Sequence, residues 1–375
     1  MQSTEVLESV KGTNPLKALL SYGQSMWLDY IRRDLITSGK LKTMINDDGL
    51  RGMTSNPSIF DHAITHSDKY DDEIRRLTAR GYSEEALFFE LAVEDLARAA
   101  DILLPIHDAT AGVDGWVSLE VSPLLAYQTA ETIAEAIRLS RRANRRNLFI
   151  KIPGTEEGRP AIEAAIAAGV PVNVTLLFSP AQYEAAADAY MRGLERRVEA
   201  GLAPNVRSVA SVFISRWDRA VADKVPEAMH NTLGMAVGQL AYKSYRDILR
   251  TDRWQRLMNY GAMPQRLLFA STGMKDPKAP DAFYVNALAA PNTVNTMPEP
   301  TLLAFADHGN VGALLAHDGG DAAKTIDRHV KAGINVEAVA TKLQADGAQA
   351  FVESWKDLLK AIDAKSRKLT AVTQR

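Results

Sequence analysis

The sequence predicts an α/β protein, a single (β/α)8 TIM barrel with additional N- and C-terminal helices. Three observations lead there. Short apolar runs of strand length alternate with longer stretches of helical periodicity. No break in composition marks a second domain. Polar residues recur at the ends of the apolar runs, where barrel enzymes assemble their sites. The chain has 375 residues, more than the about 250 that such a barrel takes. Residues 1–375 are therefore expected to form one domain, with a barrel core over about 23–290 and C-terminal helices over 300–375.

Taken in order, residues 1–22 look like a polar arm with a short amphipathic helix near Pro15. Residues 25–31 are the first predicted strand and 50–54 the second. Ser55-Asn56-Pro57-Ser58 follows, where the residue before proline is held extended. Helical periodicity covers 68–78 and 84–104. Residues 116–121 are the third strand, and Pro123 opens a helix to about 142. The fourth strand holds Leu148-Phe149-Ile150-Lys151-Ile152-Pro153-Gly154, and a helix over 155–168 is closed by Gly169. Residues 171–178 form the fifth strand, Ser179-Pro180 starts a long helix to about 200, and 206–214 form the sixth. One helix is expected over 233–257, a seventh strand over 266–270, and an eighth over 283–288. From Pro300 the pattern is helical almost to the end.

Composition narrows the function. A hydrophobic fraction of 46% and a charged fraction of 24% suit a globular protein. A formal net charge of -2 argues against nucleic-acid or membrane partners held by bulk electrostatics. The absence of cysteine excludes disulfides, thiolate metal sites and cysteine nucleophiles. The first residues carry neither a basic nor an apolar signal region, and no apolar run reaches transmembrane length, so a cytoplasmic location is expected.

The candidate chemistry lies in the strands. Leu148, Ile150 and Ile152 share one face of the fourth strand, and Phe149 and Lys151 the other. A buried ammonium is disfavoured by desolvation, which favours the free, nucleophilic amine that a Schiff-base enzyme needs. Asp29, Asn56, Glu120, Lys151, Asn173, Thr175 and Ser211 all fall at or just past the C-terminal ends of strands one to six. By parity, Asp29 goes with Trp27, Glu120 with Trp116 and Lys151 with Phe149. Each unpaired buried charge costs several kcal/mol, so packing alone accounts poorly for several in one layer. A lysine flanked by two carboxylates supplies a nucleophile and two proton-transfer groups, and Asn, Thr and Ser suit the hydroxyls of a sugar.

Thr54-Ser55-Asn56-Pro57-Ser58, Ser118-Leu119-Glu120-Val121, Leu148-Phe149-Ile150-Lys151-Ile152 and Asn173-Val174-Thr175-Leu176-Leu177-Phe178-Ser179 resemble the motifs of transaldolases, in the family's order. The resemblance implies that Lys151 forms the imine and that Asp29 takes the C4-hydroxyl proton during C3–C4 cleavage. It implies that Glu120 works through a water oriented by Thr175. Asn56 and Asn173 would hold the dihydroxyacetone unit, with Ser211 close by, and Arg216 and Ser271 the phosphate. Where many relatives have Ser-Phe-Arg after strand seven, this chain has Ser271-Thr272-Gly273-Met274-Lys275, which makes Lys275 the candidate second phosphate cation.

The resemblance further implies transfer of a dihydroxyacetone unit from sedoheptulose 7-phosphate or fructose 6-phosphate to glyceraldehyde 3-phosphate or erythrose 4-phosphate. It implies no cofactor and no metal, sugar phosphates as small-molecule partners, and a monomer or homodimer. The chain is similar to a longer transaldolase subgroup, some members of which are fused to a phosphoglucose isomerase, a second domain not expected here. The alternatives are a lyase releasing free dihydroxyacetone and a non-catalytic sugar-phosphate-binding barrel. His62 and His66, four apart, are expected at the surface, Gly154 to Gly158 lacks a P-loop's Gly-Lys-Ser/Thr, and Arg141 to Arg146 read as a solvated helix end.

Overall fold

The computed structural model describes residues 14–373. The polar arm expected before Asn14 lies outside them, and the short helix follows as Pro15–Ser21, capped by the Asn14 side chain. Eight parallel strands close a barrel in sequence order. They are β1 (Gln24–Asp29), β2 (Gly52–Thr54), β3 (Trp116–Glu120), β4 (Leu148–Pro153), β5 (Val172–Leu177), β6 (Ser208–Phe213), β7 (Gln265–Ala270) and β8 (Thr293–Met297).

Strand alternation divides the core into two layers. Met26, Leu28, Val117, Leu119, Leu148, Ile150 and Ile152 point outward into one cluster shared with the surrounding helices. Trp27, Trp116, Phe149, Val209, Leu268 and Val294 fill the barrel interior. Trp116 and Phe149 stack with ring centroids 4.0 Å apart. Trp27 has room because residue 52 is glycine, since a Cβ there would sit 2.5 Å from its ring. The parity read from the sequence holds: the polar strand-end residues stand on this aromatic floor.

Four expectations are corrected. The apolar run at 283–288 is the helix Phe283–Ala287, and the eighth strand is Thr293–Met297. A short apolar run is compatible with either structure, and the true strand is disguised by its polar side chains. Those are partly bonded within the barrel: Gln24 Nε2 donates to Thr293 Oγ1 at 2.9 Å and Thr272 Oγ1 to Asn295 Oδ1 at 2.8 Å, while Asn295 Nδ2 is buried without a partner. The barrel core, expected to end near 290, therefore runs to Met297. The helix expected from Pro123 begins as a single turn, Pro123–Leu125, and resumes as Thr129–Ala143. The helix expected over 233–257 is two, Leu233–Ile248 and Asp252–Asn259, the second capped by the Thr251 hydroxyl.

Three arginines of the basic cluster before β4 are paired, Arg142 with Glu90, Arg145 with Asp101 and Arg146 with Asp108. At the other end of the barrel the last helix, Val336–Thr373, packs on the helix Pro57–Thr65 that follows β2.

Candidate active site

Register positions the first group. Glu120 lies opposite Lys151 across β3 and β4, and Lys151 opposite Asn173 across β4 and β5. Lys151 Nζ donates to Glu120 Oε2 at 3.0 Å and to the Ser55 carbonyl at 3.1 Å. Both side chains of the pair are only 6% exposed, so their mutual attraction offsets a large desolvation cost. Burial pushes the Glu120 carboxyl up, Lys151 pulls it back, and Asp29 pushes it up again. Beneath them Asn173 Nδ2 donates to Ser118 Oγ at 3.1 Å, and Ser211 Oγ donates to Asn173 Oδ1 at 2.7 Å. Two buried atoms here have no protein partner, Glu120 Oε1 and Thr175 Oγ1. Such atoms call for a water or a ligand hydroxyl.

Across the mouth, Thr54 Oγ1 donates to Asp29 Oδ1 at 2.7 Å and lies 2.8 Å from Thr296 Oγ1. Thr54 thus passes a hydrogen bond from β8 to the carboxylate and fixes its orientation. Asn56 caps the helix Pro57–Thr65, its carbonyl oxygen accepting from Ile59 N at 3.1 Å and Ser58 Oγ at 2.7 Å. The cap occupies that oxygen, and the side-chain amide donors carry no hydrogen bond among the described residues.

A cavity of about 170 Å³ opens over these residues, lined by Asp29, Asn56, Lys151, Thr175, Ser211, Arg216, Ser271 and Lys275. Glu120 and Asn173 lie outside its lining: Asn173 is fully buried, and Glu120 borders a small void shared with Trp355 and Phe88. The sequence reasoning had placed all ten residues in one site, and the fold brings them together in two layers.

The β6–β7 rim differs in character. Arg216 stacks over the Phe213 ring, 5.2 Å from its centroid. Burial and the nearby Arg219 lower its pKa, while Asp346 opposes them. Arg216 has no ion pair among the described residues. Asp218, two residues on, is occupied elsewhere, accepting from Leu233 N at 2.9 Å, Gly234 N at 3.1 Å and Tyr284 Oη at 2.7 Å. Ser271 Oγ lies 2.9 Å from Ser215 Oγ. Its φ of 56° is left-handed, as is the 59° of Leu176 beside Thr175, where β5 breaks register. Backbone strain of this kind collects at functional sites.

Comparison with known proteins decides the family. The family model described as transaldolase/fructose-6-phosphate aldolase matches residues 26–362. The chain belongs to that family. It is 43% identical to Transaldolase 2 of Streptomyces coelicolor over 366 residues, covering 95% of this chain and 98% of the relative. It is likewise 43% identical to the transaldolase of Thermobifida fusca, covering 96% of this chain and all of the relative. With Transaldolase 2 of Nostoc punctiforme the identity is 40%, covering 96% of this chain and all of the relative.

This family member completes its site with residues the sequence reasoning missed. The last helix crosses the mouth. Gln344 Nε2 donates to the Leu176 carbonyl at 2.8 Å and to the Gly154 carbonyl at 3.3 Å. Phe351 places its ring 5.6 Å from Lys151 Nζ. Between them Gly347 leaves room for Arg216, whose Nη1 would lie 3.2 Å from a Cβ at that position. Farther on, Lys365 pairs with Asp71 at 2.8 Å and donates to the Ile64 carbonyl at 2.8 Å. The signal was present: residues 344, 347, 351 and 355 share one helix face at three- and four-residue spacing. His62 and His66 stack at 4.4 Å, and no cluster of three or more metal-ligating side chains occurs among the described residues. No described helix is long and apolar enough to cross a membrane.

Proposed function

We propose that this chain is a transaldolase acting on sugar phosphates in the cytoplasm, as one domain and as a monomer or homodimer. The observation that carries this is a buried Lys151–Glu120 pair at the base of a cavity whose far rim presents Arg216, without an ion pair among the described residues. Family membership and the names of the relatives support it.

In the proposed sequence Lys151 Nζ attacks the ketose C2 carbonyl, and loss of water gives the imine. Glu120, through a water held with Thr175, moves the protons of that step and of its reversal. Asp29 Oδ takes the proton of the C4 hydroxyl as C3–C4 breaks. The electron pair of that bond passes into the imine, giving an enamine and a departing aldose phosphate. An incoming aldose phosphate is attacked by the enamine, Asp29 returns the proton, and water releases the new ketose. Asn56, Asn173 and Ser211 hold the hydroxyls of the retained three-carbon unit, while Arg216, Ser271 and Lys275 hold the phosphate. The imine is the electron sink, so no metal or organic cofactor enters the scheme. Phe351 over Lys151 supports one domain, because the last helix then contributes to the chemistry.

Product analysis of fructose 6-phosphate with and without erythrose 4-phosphate tests this. A transferase forms sedoheptulose 7-phosphate only when the acceptor is present. Steady release of free dihydroxyacetone without acceptor would make the chain a lyase.

A further inference from the structure

A larger cavity, of about 560 Å³, adjoins the proposed active site and is not used by the reaction. The two share Lys275 in their linings and are separated by the hydrogen-bonded Ser215–Ser271 pair. Its carboxylates are already engaged. Asp218 accepts from two backbone N–H groups and Tyr284, and Asp276 accepts from Lys278 N at 2.9 Å and Asn231 Nδ2 at 3.0 Å. Lys278 is paired with Glu227 at 3.2 Å. Arg219, Lys275 and His230 face the space with no side-chain hydrogen bond or ion pair among the described residues, His230 lying near enough to Asp276 to lower its pKa. Arg219 stands three residues after Arg216, so two guanidiniums share a helix face, and neither makes an ion pair among the described residues. Like charges at this spacing repel. An anion held by either one relieves the repulsion, and a guanidinium fork matches two phosphate oxygens.

We propose that this cavity is a second phosphate-binding site, centred on Arg219 and His230, beside the one at Arg216. Two sources have the required chemistry: free inorganic phosphate (or another small phosphate monoester), and the single phosphate of the seven-carbon donor, which stands one carbon farther from Lys151 than that of the six-carbon donor. Lys275, reaching both cavities, couples them.

The test uses the full chain and inorganic phosphate, followed by phosphorus NMR titration. Wild type is expected to bind phosphate at two sites. The double variant Arg219→Gln/His230→Gln should weaken one of them about tenfold or more, the loss of one charge-assisted hydrogen bond or greater. Arg216→Gln should weaken the other. Arg219 is exposed and His230 partly so, and neither side chain makes a hydrogen bond or ion pair among the described residues, so the fold should tolerate both changes. In a second arm, KM for sedoheptulose 7-phosphate and fructose 6-phosphate identifies the source. Unchanged KM values with lost binding assign the site to free phosphate, and a rise confined to the seven-carbon donor assigns it to the donor's far end. If the double variant titrates like wild type and both KM values stand, the proposal is wrong. Loss of binding in Arg216→Gln alone would overturn it while leaving the active-site assignment intact.

Discussion

On the β3–β5 side of the mouth, Lys151 and Glu120 are paired with one another in a buried, aromatic-floored layer. On the β6–β7 side, Arg216 and Lys275 face the same cavity with no ion pair among the described residues. The first arrangement has its charges paired and suits proton transfers between fixed groups. The second is incomplete, since a partly desolvated guanidinium is stabilised when a ligand's charge arrives. Changes on the first side should therefore strike turnover, and changes on the second should strike binding of phosphorylated substrates.

The comparison is broken most severely at Lys151. Lys151→Met should show no detectable transfer in an acceptor-coupled assay while remaining folded by circular dichroism. It also leaves Glu120 buried without its partner, and the carboxyl should be pushed up further than burial already pushes it. A carboxyl raised in the folded state keeps its contribution to stability below its unfolded value of about 4.3 and loses it as pH rises through the folded value. The gap in Tm between wild type and Lys151→Met should therefore widen as pH rises from about 4.3. A gap independent of pH would mean that Glu120 is not desolvated.

The two carboxylates come next. Asp29→Asn and Glu120→Gln should each lower kcat by about 10²–10⁴-fold, the usual cost of a positioned acid or base. Their defects should differ in kind. Rapid-quench trapping should find the imine formed normally in Asp29→Asn and slowly in Glu120→Gln. Equal rates of imine formation would erase the proposed division of labour.

Arg216→Ala probes the open side. Loss of a charge-assisted hydrogen bond of about 1.5–3 kcal/mol should reduce kcat/KM for phosphorylated donors by roughly 10–150-fold. The weak reaction of unphosphorylated fructose, with the same unphosphorylated acceptor, should change little. Equal losses on both donors would mean that Arg216 supports the fold or the chemistry. The smallest effect is expected at the helix that spans both sides. Phe351→Leu keeps apolar cover over Lys151 and removes the ring face, which should lower kcat/KM by roughly two- to thirtyfold, the worth of a cation–π contact.

How far the sequence revealed these two sides follows from where each is built. Lys151, Glu120 and Asp29 are charged residues inside apolar strands, and strand parity sets them on the face of Phe149, Trp116 and Trp27. A period of two leaves no other face for them. Thr293–Met297 escaped notice because its Asn295 and Thr296 read as loop residues, and only the bonds from Thr272 and to Thr54 explain polar groups in a barrel wall. Arg216 was placed correctly just past β6, yet its freedom from Asp218 depends on three donors from distant segments. Phe351 lies 200 residues beyond Lys151, in a helix whose periodicity declares a buried face without naming what it covers.

The central claim is that the buried amine of Lys151 forms the covalent intermediate. Treating the enzyme with fructose 6-phosphate and borohydride, followed by peptide mass mapping, tests it most directly. The account predicts a single reduced adduct, on Lys151, formed only when the ketose is present. An adduct on any other lysine, or full turnover that borohydride never traps, would contradict it.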